Sequence, residues 1–92
     1  MRESSSLNRF RHSIAFELTR LRRQAGLSQT ALAAELGSDQ SIISRVEAGV
    51  RSITVDELFI WTEALGLTPT ETSTLLADAW SRNAARREGF WE

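Results

Sequence analysis

Gln29 and Gln40 each open a short run of residues with helical spacing, and Ser41, Ile42 and Arg45 follow the second of them. A glutamine amide donates and accepts at once, which matches N6 and N7 of adenine in the DNA major groove. An arginine fork fits O6 and N7 of guanine, for about 1–3 kcal/mol of discrimination. The first turn of a helix adds unpaired backbone amides and a partial positive charge, which suit phosphate. This is hydrogen-bonding chemistry aimed at base edges and anions. It is not a catalytic set. His12, the single histidine, stands between Arg11 and Ser13 and reads as a solvated residue, and the chain has no cysteine, metal-ligand cluster, phosphate-binding loop or nucleophile motif. No enzymatic activity, cofactor or metal is expected.

The elements that must position these residues are two short helices and a turn. Leu32, Ala33 and Leu36 recur at helical spacing before Gly37, and Ile43 and Val46 after it. Ser28 is placed to cap a helix over 29–36, and Asp39 to cap one over 40–48, closed by Gly49. Gly37 can take the left-handed conformation that a sharp interhelical turn needs. Helix, tight turn and a second helix with a polar leading edge make a helix-turn-helix, a unit that sets one helix in the major groove. Gln40, Ser41, Ile42 and Arg45 share that leading face. Arg45 reaches guanine, phosphate or a carboxylate, and Ser41 reaches phosphate or a base. Ile42 packs on a thymine methyl or joins the core beside Ile43.

The remaining chain supplies support. Phe10, Ile14, Leu18, Leu21 and Ala25 form a stripe about four helical turns long, after a Ser6 or Asn8 cap and before Gly26. Phe16 lies off the stripe, as a surface aromatic or a subunit contact. Val50 to Ile53 is a loop. Thr54-Val-Asp-Glu57 is a capping box for a helix over Val55–Leu65, ended by Gly66. Thr68-Pro-Thr-Glu71 is a second box, with Pro69 where its missing N–H costs nothing, and it opens a helix carrying Leu75, Leu76, Ala79 and Trp80. The expectation is an all-α, five-helix bundle in one domain spanning 1–92, with a helix-turn-helix core over about 7–67 and a fifth helix and tail over 68–92.

Charge is distributed more informatively than it is summed. The net charge is −1, yet residues 1–30 sum to +4 and residues 52–81 to −5, and all eleven bases are arginine. Either one end faces phosphate and the other does not, or the charges form a mixed solvated surface. Arginine's fork fits phosphate and guanine better than a lysine point charge does. The 41% hydrophobic content is ordinary for a soluble globule. No apolar run approaches a membrane span and the first residues lack a secretory signal pattern, so a cytoplasmic protein without membrane attachment is expected.

Leu21-Arg-Arg-Gln-Ala-Gly-Leu-Ser-Gln29, Leu32-Ala, Leu36-Gly, Ile43-Ser-Arg-Val-Glu47 and Ala48-Gly together resemble the phage repressor and Cro-like (XRE-type) helix-turn-helix family. Leu58 through Leu67 is similar to that family's fourth helix. The resemblance covers roughly residues 14–67 and implies its lambda-repressor-like fold. It implies that Gln29 binds backbone phosphate and braces Gln40, which contacts a base. It also implies that Arg22 and Glu47 form a structural ion pair and that the loop bearing Arg51 and Ser52 lies against phosphate. Ser28, Arg20 and Arg23 are assigned to phosphate with them, Arg9 and Arg11 being further candidates on the first helix. Ser38 departs from the family, which carries a branched apolar residue there. Either the turn is less well covered, or the serine hydroxyl helps to cap the third helix.

The function expected is sequence-specific transcriptional regulation, with the protein acting as a repressor on a palindromic operator of double-stranded DNA. A homodimer would place each third helix in the major groove. The alternative is an antitoxin or phage-control protein whose fifth helix and tail grip a protein partner. Ile60, Trp80, Phe90 and Trp91 are the residues expected at the dimer or partner contact. Trp61 is expected in the core or its seam with the fifth helix, as Trp80 alternatively is, and Phe90 and Trp91 alternatively tuck back onto their own domain.

Overall fold

The computed structural model describes residues 5–83, which form five helices and no strand: α1 Ser5–Gln24, α2 Gln29–Leu36, α3 Gln40–Glu47, α4 Val55–Ala64 and α5 Pro69–Arg82. This is the all-α arrangement that the spacing predicts. No helix among the described residues is long and apolar enough to cross a membrane.

Local chemistry explains most boundaries. Ser28 Oγ accepts from the Ala31 amide at 3.0 Å, and the Asp39 carboxylate from the Ile42 amide at 3.1 Å. Thr54 and Thr68 accept from the Glu57 and Glu71 amides, while the two glutamates reach back to the threonine amides at 3.0 and 2.8 Å. Both capping boxes are therefore complete. Three boundaries differ from the sequence reading. Helix α3 stops at Glu47, with Ala48 as its cap, and α4 at Ala64, with Leu65 as its cap. Ser6 and Asn8 do not cap α1, because the helix already includes Ser5. Serine and asparagine are tolerated within a helix as well as favoured at its start, so residue type alone does not mark this end.

Gly37 adopts φ 64°, and the turn after α2 closes with Ser38 N–H donating to Ala33 O at 2.9 Å. That is a Schellman closure, in which the residue after the glycine usually adds an apolar contact. Ser38 supplies only its backbone amide and is exposed, while Asp39 caps α3. The turn is thus held by a backbone bond rather than by a covered side chain.

One core joins all five helices: Ile14 and Leu18 from α1, Leu32 and Ala33 from α2, Ile43 and Val46 from α3, Leu58 and Trp61 from α4, and Ala79 from α5. Leu18, Leu32 and Ile43 have no exposed surface. Small Ala33 is buried in this core, where a larger side chain would force the packing to shift. Ile42 is half-buried and stays outside the core that Ile43 enters. Trp80 is 41% exposed and meets Phe10 edge-on, with ring centroids 5.0 Å apart.

Two polar joints complete the packing. The hydroxyls of Thr62 and Thr72 meet at 2.6 Å between α4 and α5, fully buried. Asn83 Nδ2, just past α5, donates to Ser13 Oγ at 3.0 Å and to Ala79 O at 2.7 Å. Most buried polar groups in folded proteins are hydrogen-bonded, and these pairs satisfy one another across elements, whereas the buried Trp61 Nε1 has no hydrogen-bond partner among the described residues.

Candidate nucleic-acid interface

The site grows from a buried ion pair. Arg22, in the last turn of α1, donates from Nε to Glu47 Oε2 at 2.7 Å and from Nη2 to Oε1 at 3.0 Å. Its Nη1 donates to Leu27 O at 2.7 Å, which ties the α1–α2 loop to the same group. The two side chains are only 9% and 5% exposed. Two charges out of water require such close pairing and satisfied hydrogen bonds. Burial alone would push the Glu47 carboxyl up. Hydrogen bonds from Arg22 and Gln29, with the Arg22 charge, outweigh it and hold the carboxyl below its ordinary value. The hydrogen bond with Glu47 raises the Arg22 guanidinium in turn, against its burial.

From this pair a chain of hydrogen bonds runs to the surface. Gln29 Nε2 donates to Glu47 Oε1 at 3.0 Å. Gln29 Oε1 accepts from Gln40 Nε2 at 2.7 Å. Four residues from α1, α2 and α3 are thus linked, and the last is an exposed amide in the first turn of α3.

The sequence profile of a helix-turn-helix family matches residues 18–71, which contain all four linked residues. The chain belongs to the phage repressor and Cro-like (XRE-type) helix-turn-helix family. It is a DNA-binding transcriptional regulator. No curated protein and no solved structure matches it.

Within this helix-turn-helix the other residues picked out by sequence fall in distinct places. Gln40, Ser41 and Arg45 are exposed along α3, with Ile42 half-buried between them. The Ser41 hydroxyl bonds to the Asp39 carboxylate, so part of its capacity already serves the cap. That hydroxyl, then the Ile42 amide, hold the Asp39 carboxyl below its ordinary value, and the Arg45 charge adds to them. Gln29 is half-buried behind exposed Ser28.

Arg51 has a second engagement that its sequence position does not reveal. Its Nη1 and Nη2 donate to the two Glu57 oxygens at 3.3 Å each, and Nη1 also donates to Ser52 O at 3.1 Å. Glu57 thus closes the capping box of α4 and faces the loop arginine. The Arg51 hydrogen bond is the main cause holding the Glu57 carboxyl below its ordinary value.

Arg20 and Arg23 are exposed on α1 and border a shallow groove with His12, Phe16 and Glu47. Arg20 is paired with Glu17, its Nε 3.0 Å from Oε1, and Arg82 approaches the same carboxylate at 3.9 Å. His12 is exposed, as the sequence suggests, and its ring also lies against the turn after α3. A Cβ on Gly49 would sit 2.5 Å from its Cε1 and Nδ1. A lone histidine in a polar run carries no periodic signal, so only the three-dimensional fold brings this contact out. Ile60 is 56% exposed on α4, and Phe90 and Trp91 lie outside the described residues.

Proposed function

We propose that this regulator is a repressor that binds a palindromic operator as a homodimer, with α3 of each copy in the major groove. The observation carrying this reading is the bracing of Gln40: its amide is fixed through Gln29 to a buried ion pair, yet remains exposed in the first turn of α3. An ordered amide loses less freedom on contacting a base than a mobile one does. In this reading Gln40, Ser41, Ile42 and Arg45 face base edges. Ser28, Gln29, Arg51 and Ser52 face phosphate, with Arg20 and Arg23 of α1 as supporting cations.

One such module reads few base pairs. Two-fold symmetry, with half-sites about one helical turn or roughly 34–36 Å apart, supplies the missing affinity and specificity. Exposed Ile60 and half-exposed Trp80 offer apolar surface for the second copy, away from α3 in sequence. The cytoplasm is the matching compartment.

Selection of bound duplexes from a random pool tests the proposal. An inverted repeat with Gln40→Ala losing preference at one base step per half-site is the expected result. A non-repeating site, or no enrichment at all, would overturn it.

A second reading places the protein as an antitoxin or phage-control partner. The acidic charges of α4 and α5, beside exposed Val55 and Ile60, favour it by offering a surface unlike the arginine-rich α1. Unchanged DNA affinity and self-association after mutation of Ile60, with loss of a co-purified protein, would support this reading over the first.

A further inference from the structure

We infer that Glu47, whose side chain is buried against Arg22, is a specificity-determining positioning residue: it sets which way round Gln40 presents its amide to DNA. The inference rests on the reading of Gln40 as a base contact.

A carboxylate has acceptors only. Whatever group of Gln29 faces Glu47 must therefore be a donor, so Nε2 points inward, 3.0 Å from Oε1. The amide plane of Gln29 then has one remaining choice, and its oxygen faces Gln40. That oxygen in turn requires a donor, and Gln40 Nε2 supplies it at 2.7 Å. Exchanging oxygen and nitrogen in either amide would place like groups against each other. Orientation is ordinarily ambiguous for an amide, but here the charge of one buried residue settles it for two amides in succession.

The outcome at the surface is specific. Gln40 has spent one N–H on Gln29, and keeps one N–H and the lone pairs of Oε1 to offer. A donor and an acceptor side by side match adenine, whose N7 accepts and whose N6 donates. Arg22 holds Glu47 in place with two hydrogen bonds, so the carboxylate is a fixed end of the relay. With an amide at position 47, either its oxygen or its nitrogen can turn toward Gln29, since Arg22 donates to both ends, and the nitrogen would reverse both glutamines. Gln40 would then accept from Gln29 through Oε1 and offer mainly donors to the groove.

The test compares the wild-type protein with Glu47→Gln, Gln29→Met and Gln40→Ala. Each is titrated against four operator duplexes that differ only at the base facing Gln40, and four more that differ at the base facing Arg45. The wild type should prefer its best base at the Gln40 position by about 5- to 150-fold. In Glu47→Gln and in Gln29→Met this preference should fall to about threefold or less, since an amide of unfixed direction suits several bases. Preference at the Arg45 position should persist, whereas a loosened fold would weaken both positions together. Gln29→Met keeps the Arg22–Glu47 pair, so the inference stays testable if Glu47→Gln does not fold. A folded Gln29→Met protein with wild-type preference at the Gln40 position would overturn it. Unaltered preferences in Gln40→Ala would instead remove the base-contact reading beneath it, and the inference with that reading.

Discussion

The imidazole of His12 lies against Gly49 so closely that a β-carbon there would sit 2.5 Å from two ring atoms. Gly49 also has φ 77°. Two independent constraints therefore select glycine in the turn between α3 and the Arg51 loop. By contrast, a Cβ on Gly26 at φ 75° would meet nothing within 4 Å. Gly26→Ala should show backbone strain alone, about 1–2 kcal/mol, whereas Gly49→Ala should exceed it only by the cost of turning the exposed His12 ring aside, roughly 0.5–1 kcal/mol, the scale of a displaced rotamer. Urea denaturation of the two variants measures the difference. Adding His12→Ala to Gly49→Ala should recover the excess and leave only the strain; failure to recover it would show that the ring does not press on the turn.

Arg22 and Glu47 provide a second test, because a buried charge is most costly when it loses its partner. Arg22→Met should destabilise the fold by about 3–5 kcal/mol, and adding Glu47→Leu should restore much of that. Equal losses in the single and double variants would argue that packing, not charge pairing, holds α3 to α1.

The same pair shapes the acid limb of the stability curve. The folded Glu47 carboxyl lies below its ordinary value, so the folded state binds fewer protons there than the unfolded state. Its contribution is fully present above the unfolded value, about 4.3, and is lost as pH falls through the lower folded value. Asp39, Asp56 and Glu57 are shifted the same way. Denaturation at a series of pH values should show stability falling below about pH 5, less steeply for Glu47→Gln than for the wild type.

The residues involved show what a sequence can and cannot reveal. Helix limits were legible where a cap or a glycine forces them: Ser28, Asp39, Thr54, Thr68 and Gly37 act locally, within a few residues. The apolar period carried the core, since Leu18, Leu32 and Ile43 each face one side of their own helix. The joints between helices were not legible. Thr62 with Thr72, Asn83 with Ser13 and His12 with Gly49 join positions whose types carry no mutual signal, and they meet only because α4, α5 and α1 pack as they do. The association of Arg22 with Glu47 was visible through family resemblance rather than from spacing. Arg51 illustrates the opposite failure: its place in the loop was legible, but its fork on Glu57 was not, because the capping box already accounted for that glutamate.

That fork leads to a prediction about affinity. Glu57 neutralises Arg51 in the free protein, and phosphate must compete with it. Glu57→Gln keeps a residue able to close the capping box while removing the negative charge. Binding to non-cognate duplex DNA should strengthen by about two- to fivefold at low salt, with little change in base preference, as expected for a phosphate contact. Arg51→Ala should weaken all sequences alike and lower the slope of log affinity against log salt by about 1. Unchanged salt dependence in Arg51→Ala would remove the residue from the phosphate interface.

The end of the chain needs a cut placed by structure. Asn83 is buried, bonded to Ser13 and to Ala79 O, so a truncation that removes it would damage the α1–α5 joint. Loss of its side chain alone should cost about 1–3 kcal/mol, the scale for stranding buried polar groups. Deleting 84–92 instead keeps the joint and isolates the contribution of Arg86, Arg87, Phe90 and Trp91. Sedimentation of this truncation beside Ile60→Glu, a charge placed on exposed α4 surface, then separates two routes to a dimer. If α4 carries the contact, Ile60→Glu should be monomeric and bind half-sites with weakened cooperativity, while the truncation remains dimeric. If the tail carries it, the truncation alone should fall to monomer mass. A dimer surviving both changes would move the interface away from α4 and the tail alike.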